Sequence, residues 1–211
     1  MKPMTENNKA IDDSYWTIIL KPEHKLLDLK IKEVIKYRDL IVLFVKRDFT
    51  TQYKQTVLGP LWFLIQPLLS TALFSFIFGN LAGIATNGIP KILFYYSGTM
   101  LWTFFERIFR DASDTFTNNA DVFGKVYFPR LTVPISRIFI NSLTLLIQFM
   151  LLVVFYLYFT VTGGYSYFNI SILLLPLVFI WLAFLALGLG LIITSITTKY
   201  RDLKQLISFG I

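Results

Sequence analysis

IFINSLTLLIQFMLLVVFYLYFTVTGGYSYFNISILLLPLVFIWLAFLALGLGLIITSITT, residues 138–198, holds no Asp, Glu, Lys, Arg or His across 61 positions. A helix crosses the hydrocarbon core of a bilayer with about 20 apolar residues. The stretch therefore reads as two spans and a turn, and Thr162-Gly163-Gly164 supplies the turn. A second uncharged gap, 36 residues long, separates Lys54 from Lys91. In lipid the backbone must satisfy its own hydrogen bonds, so helices are the expected spanning elements.

Composition agrees with that reading. Of the 211 residues 55% are hydrophobic and 16% charged, and mean hydropathy is +0.60. An ordinary soluble domain is about 25% charged. A soluble globule and a disordered chain are both excluded. With no Cys, there is no disulfide, thiolate metal site or Cys nucleophile.

The expected fold is all-α: a polytopic integral membrane protein with an N-terminal amphipathic helix on the interface. Four full spans follow, over about 57–82, 89–109, 138–161 and 169–197, and a fifth begins near 205 and is unfinished at Ile211. The chain divides into an N-terminal segment, 1–54, and a transmembrane domain, 55–211, read as truncated. Residues 1–14 are a polar tail. From Asp28 to about Phe49, Ile31, Val34, Ile35 and Val45 recur at helical spacing among Lys30, Lys32, Lys36, Lys46 and Arg47, the pattern of a helix lying along a membrane surface. Gly59-Pro60 opens the first span, Pro67 is expected to kink or loosen it, and Ser75, Gly79 and Gly83 form a small-residue stripe.

Positive residues set the orientation. Eleven Lys or Arg precede the first span, 5 lie between Arg107 and Arg137, and 3 follow the fourth span, whereas the opposite loops carry Lys91 alone. Such a bias places the N-terminus, the 111–136 segment and Lys199–Lys204 in the cytoplasm. The net charge of +7 thus serves orientation among membrane lipids, and no nucleic acid is expected as a partner.

The residues also narrow the chemistry. Mid-membrane carboxylates of the kind that ion-driven transporters use are missing, and Glu106 and Arg107 read as a local ion pair or interface anchor near one end of span two. His24 is the sole histidine. Asp111, Asp114 and Asp121 could at most hold a divalent cation, and surface charge is the simpler reading. Neither GxSxG nor a Walker-type GxxxxGK[ST] occurs, so a P-loop ATPase is excluded and no catalytic or metal-ligating residue is assigned. What remains is a pore or scaffold moved by another protein. The segment from Asn118 to Arg130 mixes apolar and polar residues over about three turns. Val122, Phe123 and Tyr127 are expected to form an exposed apolar patch there, facing either a partner or the bilayer.

LIVLFVKRDFTTQYKQTVLGPLWFLIQPLLS (40–70) resembles the start of polysaccharide-exporting ABC transporter permeases of the type 2 exporter family. LKPEHKLLDL (20–29) and EVIKYRDL (33–40) fit that family's N-terminal region. GKVYFPRLTVPISR (124–137) is similar to its segment between spans two and three, and YRDLKQLISFG (200–210) to the approach to its fifth span. Gln52 departs from the Arg common before the family's Tyr-Lys-Gln block, and the family has six spans. The resemblance implies the permease subunit of an ATP-driven exporter of O-antigen, capsule or teichoic-acid chains, in the bacterial inner membrane. It implies a homodimer with two copies of an ATP-binding cassette subunit that binds ATP and Mg and performs the hydrolysis, while this chain binds no cofactor. The segment about Asn118, Asn119, Asp121, Val122, Phe123, Lys125, Tyr127, Phe128 and Arg130 would then couple to that subunit. Two alternatives stand beside this: a permease of the same family for a drug or lipid, and a membrane-embedded glycan-modifying enzyme.

A sugar polymer is best moved along weak, repeated contacts. Trp62 and Gln66 in span one, and Tyr95, Tyr96, Trp102 and Phe105 in span two, are the candidate conduit residues. Tyr95, Trp102 and Phe105 fall near one helix face. Interfacial anchoring of Trp and Tyr is the competing account.

Overall fold

The computed structural model describes residues 31–54, 58–163 and 174–197. Every regular element among them is helical. In chain order these are α1 (Ile31–Lys36), α2 (Arg38–Tyr53), a 3₁₀ turn (Gly59–Leu61), α3 (Trp62–Phe74) continued by a π-helical stretch (Ser75–Leu81), α4 (Lys91–Ser113), α5 (Thr115–Asn118), α6 (Ala120–Phe123), α7 (Thr132–Gly163) and α8 (Leu175–Thr197). The expected fifth span, residues 169–173 of the fourth, and the tail with His24 lie outside the described residues.

Three helices among the described residues are long and apolar enough to cross a membrane: Trp62–Leu81, Thr132–Gly163 and Leu175–Thr197. Most of their large side chains stay exposed, among them Leu69, Leu73, Val154, Leu157, Trp181 and Phe184, as lipid-facing surfaces require. The stretch expected as the second span falls on α4. With 23 residues it is about 35 Å long at 1.5 Å per residue, but it is not one of the helices apolar enough to cross. Its Tyr-Ser-Gly-Thr run and its Glu106-Arg107 pair make it more polar than the other three. It packs among its neighbours, in contact with α3, α7 and α8. Leu93, Tyr96, Met100, Phe104, Ile108 and Ala112 form a buried stripe along it.

With lipid as apolar as Leu, close packing and polar clamps hold such helices together. The clamps are explicit. Thr71 Oγ1 lies 3.1 Å from Thr99 Oγ1, joining α3 to α4. Tyr96 donates its hydroxyl to the Gln148 carbonyl of α7 at 3.0 Å. Gln148 Nε2 donates to the Phe63 carbonyl of α3 at 3.1 Å. This last bond follows from Pro67, which sits buried inside α3 and has no N–H to offer the carbonyl four residues before it. α3 stays α-helical across Pro67, and the departure from α geometry comes in the π-helical stretch from Ser75. There Lys91 Nζ donates to the Gly79 carbonyl and to Asn80 Oδ1, both at 2.8 Å.

The expected stripe of Ser75, Gly79 and Gly83 does not form one helix face. The π stretch changes the register, and Gly83 lies beyond the helix end with φ +64°. The small-residue seam is instead on α8, where Ala183, Ala186, Gly190, Thr194 and Thr197 are buried. Gly190 is required by close approach. A Cβ there would lie 2.5 Å from Ala112 Cβ and 2.8 Å from the Phe109 carbonyl oxygen of α4. Gly59, with φ +49°, has the left-handed backbone that turns the chain from α2 into α3 at little steric cost.

Candidate functional site

The sequence-derived candidates lie in two groups, one along α3 and α4 and one on the segment between α4 and α7. In the first, Trp102 is exposed and Phe105 half-buried, with ring centroids 5.8 Å apart. They line an open cavity of about 360 Å³ with Gly98, Leu101 and Leu182. Trp62 and Gln66 are exposed on α3. Gln66 Oε1 accepts a long 3.4 Å hydrogen bond from Arg107, whose guanidinium also lies 5.5 Å from the centre of the Phe63 ring. Tyr95 is half-buried and edge-on to Phe94 at 5.3 Å. Tyr96 differs from the rest. It is wholly buried, edge-on to Phe155 of α7 at 5.5 Å, and its hydroxyl is spent on α7. It therefore cements the bundle and does not face the open side of α4. Glu106 pairs with Arg110 at 2.8 Å, one turn on.

In the second group, the expected three-turn helix is two separate single turns, α5 and α6. They meet at Asn119, whose φ −120° and ψ 18° are not helical. The Asn119 side chain is buried and donates to the Thr115 carbonyl at 2.9 Å, a local bond that competes with helix continuation. Val122 and Phe123 are not exposed as expected. They pack against a small core of Phe44 from α2, Phe128 and Val133. Phe123 stacks on Phe128 at 5.4 Å, and Phe44 meets Phe128 at 5.8 Å. The reason is that α2 supplies an apolar face that the sequence assigned to the bilayer alone. What remains exposed is the tip: Asp121, Lys125, Val126, Tyr127 and Arg130. Val126, 59% exposed, is an apolar tip residue that periodicity did not single out. Arg130 lies 5.9 Å from the centre of the Phe116 ring. Asn118 is exposed on the last residue of α5.

Charged groups brace this region. Arg137 of α7 forms an ion pair with Asp48 of α2 at 3.2 Å, and Asp48 also meets Arg47 at 2.7 Å. Asn141 Nδ2 donates to Asp111 Oδ2 at 2.8 Å. Asp111 lies past residue 109, the expected end of the second span. Burial pushes its carboxyl above the usual carboxylate range, opposed by the Asn141 bond and by Arg137 and Arg107. Among the described residues no group of three His, Cys, Asp or Glu could hold a metal ion, so Asp111, Asp114 and Asp121 do not assemble into one. The chemistry on offer is thus mechanical and recognitive: an anchored tip with an aromatic and two cations, and a bundle face bearing exposed aromatics.

Residues 39–211 match the ABC-2 type transporter family. Among curated proteins, an O-antigen export system permease protein RfbA from Klebsiella pneumoniae is 28% identical over 187 residues, which is 88% of this chain and 70% of that protein. A second Klebsiella pneumoniae protein of that name is 27% identical over the same shares. One from Myxococcus xanthus is 24% identical, covering 84% of this chain and 66% of its own length.

Proposed function

The chain belongs to the ABC-2 type transporter family, and from that premise we propose that it is the membrane-spanning permease subunit of an ATP-driven polysaccharide exporter. O-antigen is the substrate class named for its relatives. The chain is a transport subunit and not an enzyme. ATP and Mg belong to a separate ATP-binding cassette subunit, two copies of which serve a homodimer of permeases. It resides in the bacterial inner membrane with its N-terminus in the cytoplasm.

The observation that carries this reading is the tip at Lys125, Val126 and Tyr127. It is exposed, yet its base is fixed by Phe123, Phe128 and Phe44. A partner that pushes on the tip therefore pushes on α2 and α7 together. Trp62, Gln66, Tyr95, Trp102 and Phe105 offer the weak, exchangeable contacts suited to a sliding sugar chain, with Tyr96 holding α4 in place behind them.

Co-purification with the ATP-binding subunit tests the reading. Val126→Glu and Tyr127→Glu place a carboxylate in a packed contact, where an unpaired charge is costly. They should release that subunit or uncouple ATP turnover from export while the permease stays folded. Retention of the subunit with undiminished export would show that coupling lies elsewhere.

A further inference from the structure

Along the interfacial helices runs a cavity that neither the conduit nor the tip uses. Its volume is about 730 Å³. One wall runs from Val34 to Lys46 on α1 and α2, the other from Ile135 to Leu146 on α7. The lining is apolar except for Arg38, Lys46 and Ser142. On the α7 wall Phe139, Leu143 and Leu146 are 54%, 45% and 53% exposed, and across from them Ile35 and Val42 are 64% and 50% exposed. Among the described residues Arg38 makes a loose 3.9 Å pairing with Asp39, with both side chains largely in solvent, and such pairs hold a cation weakly. Lys46 is likewise exposed.

We infer that this groove binds one anionic phospholipid of the cytoplasmic leaflet, an acyl chain between α2 and α7 and its phosphate on Arg38 and Lys46. The inference rests on the cytoplasmic orientation proposed above. Dimension and charge both support that occupant. From Ile135 to Leu146, α7 rises about 17 Å at 1.5 Å per residue, close to the roughly 15 Å of one leaflet's hydrocarbon. An acyl chain therefore spans the groove, whereas a soluble peptide would meet lipid along its length. Among the described residues the two cations are the only charged ones in the lining. A zwitterionic headgroup leaves them uncompensated, and an anionic one gains about fivefold in occupancy per cation near the surface.

The test uses the full-length protein in nanodiscs of phosphatidylcholine with phosphatidylglycerol as the minor lipid, with a photo-crosslinking amino acid at Phe139. Cross-linked lipid is identified by mass spectrometry. Phosphatidylglycerol should be captured several-fold above its mole fraction, and Arg38→Gln with Lys46→Gln should return capture to the mole fraction. Lys125→Gln, an exposed cation outside the groove, should leave the enrichment unchanged. Three results overturn the inference: capture in proportion to lipid composition, cross-linking to a second copy of the chain in place of lipid, or enrichment that survives loss of both cations. Neither ATP nor polymer enters the assay. Orientation is read separately from the labelling of Lys125 from each side, so failure here is distinguishable from failure of the transport reading.

Discussion

Replacing Gln148 with Leu removes the donor to the Phe63 carbonyl while nearly conserving side-chain volume. Gln148 is 1% exposed, so no water replaces the lost bond. Interhelical hydrogen bonds in membranes average about 0.6 kcal/mol and reach about 1.7, and loss of a donor to a buried carbonyl places this one in the upper part of that range. The expected cost is about 1 to 1.5 kcal/mol. Its origin can be isolated, because the carbonyl needs an outside donor only on account of Pro67. In a Pro67→Ala background residue 67 regains an N–H and can complete the α-helical bond to Phe63. Gln148→Leu should then cost little. Pro67→Ala has a packing cost of its own, and the double-mutant cycle subtracts it. The assay is reversible unfolding in mixed micelles of the four proteins. A coupling energy of about 1 kcal/mol is expected. If Gln148→Leu costs the same in both backgrounds to within about 0.3 kcal/mol, the proline-linked account of this clamp is wrong.

Gly190→Ala should destabilise by about 1–3 kcal/mol through overpacking against Ala112 and the Phe109 carbonyl, and Ala112→Gly should recover only part, as thermal unfolding in detergent will show. Asp111 binds its proton more tightly when folded than unfolded. The stability it contributes is thus present below its ordinary pKa of 3.8 and is lost as pH rises through the raised value. Asp111→Asn should flatten that part of the pH–stability curve. Tyr96→Phe should lower stability by about 1 kcal/mol and leave export intact. Trp102→Leu should reduce polymer export with unchanged stability. If Tyr96→Phe is instead the variant that impairs export at normal stability, the division between cement and conduit is reversed.

The spans were legible because charge is excluded from hydrocarbon at a high cost, so residues 138–198 declare themselves. The connection after the π-helical stretch turns at Thr86-Asn87-Gly88, where Asn87 takes a left-handed φ of 51°. Pro67 was visible as a perturbation, but its remedy, Gln148, lies 81 positions further on, and nothing local links them. The α8 seam could have been found, since Ala183, Ala186, Gly190 and Thr194 recur at helical spacing. The stripe at Ser75, Gly79 and Gly83 is equally plain in the sequence, but a π turn breaks its register. Val122 and Phe123 are expected to be exposed and are packed inward instead, because periodicity gives a face and not its direction. That direction was set by Phe44, on an element assigned to the lipid surface.

α7 runs unbroken for 32 residues, about 48 Å at 1.5 Å per residue, against a hydrocarbon core of about 30 Å. Its one proline, Pro134, sits in the first turn, where it removes no interior bond. The same helix that takes Phe44, Phe128 and Asp48 near its N-terminus carries the Gln148 clamp halfway along. A push-rod without a joint cannot absorb a stroke within itself. Any tilt imposed at Val133 and Arg137 must appear, with opposite sense, at the other terminus near Gly163, and α3 and α4 are hooked onto it at the pivot.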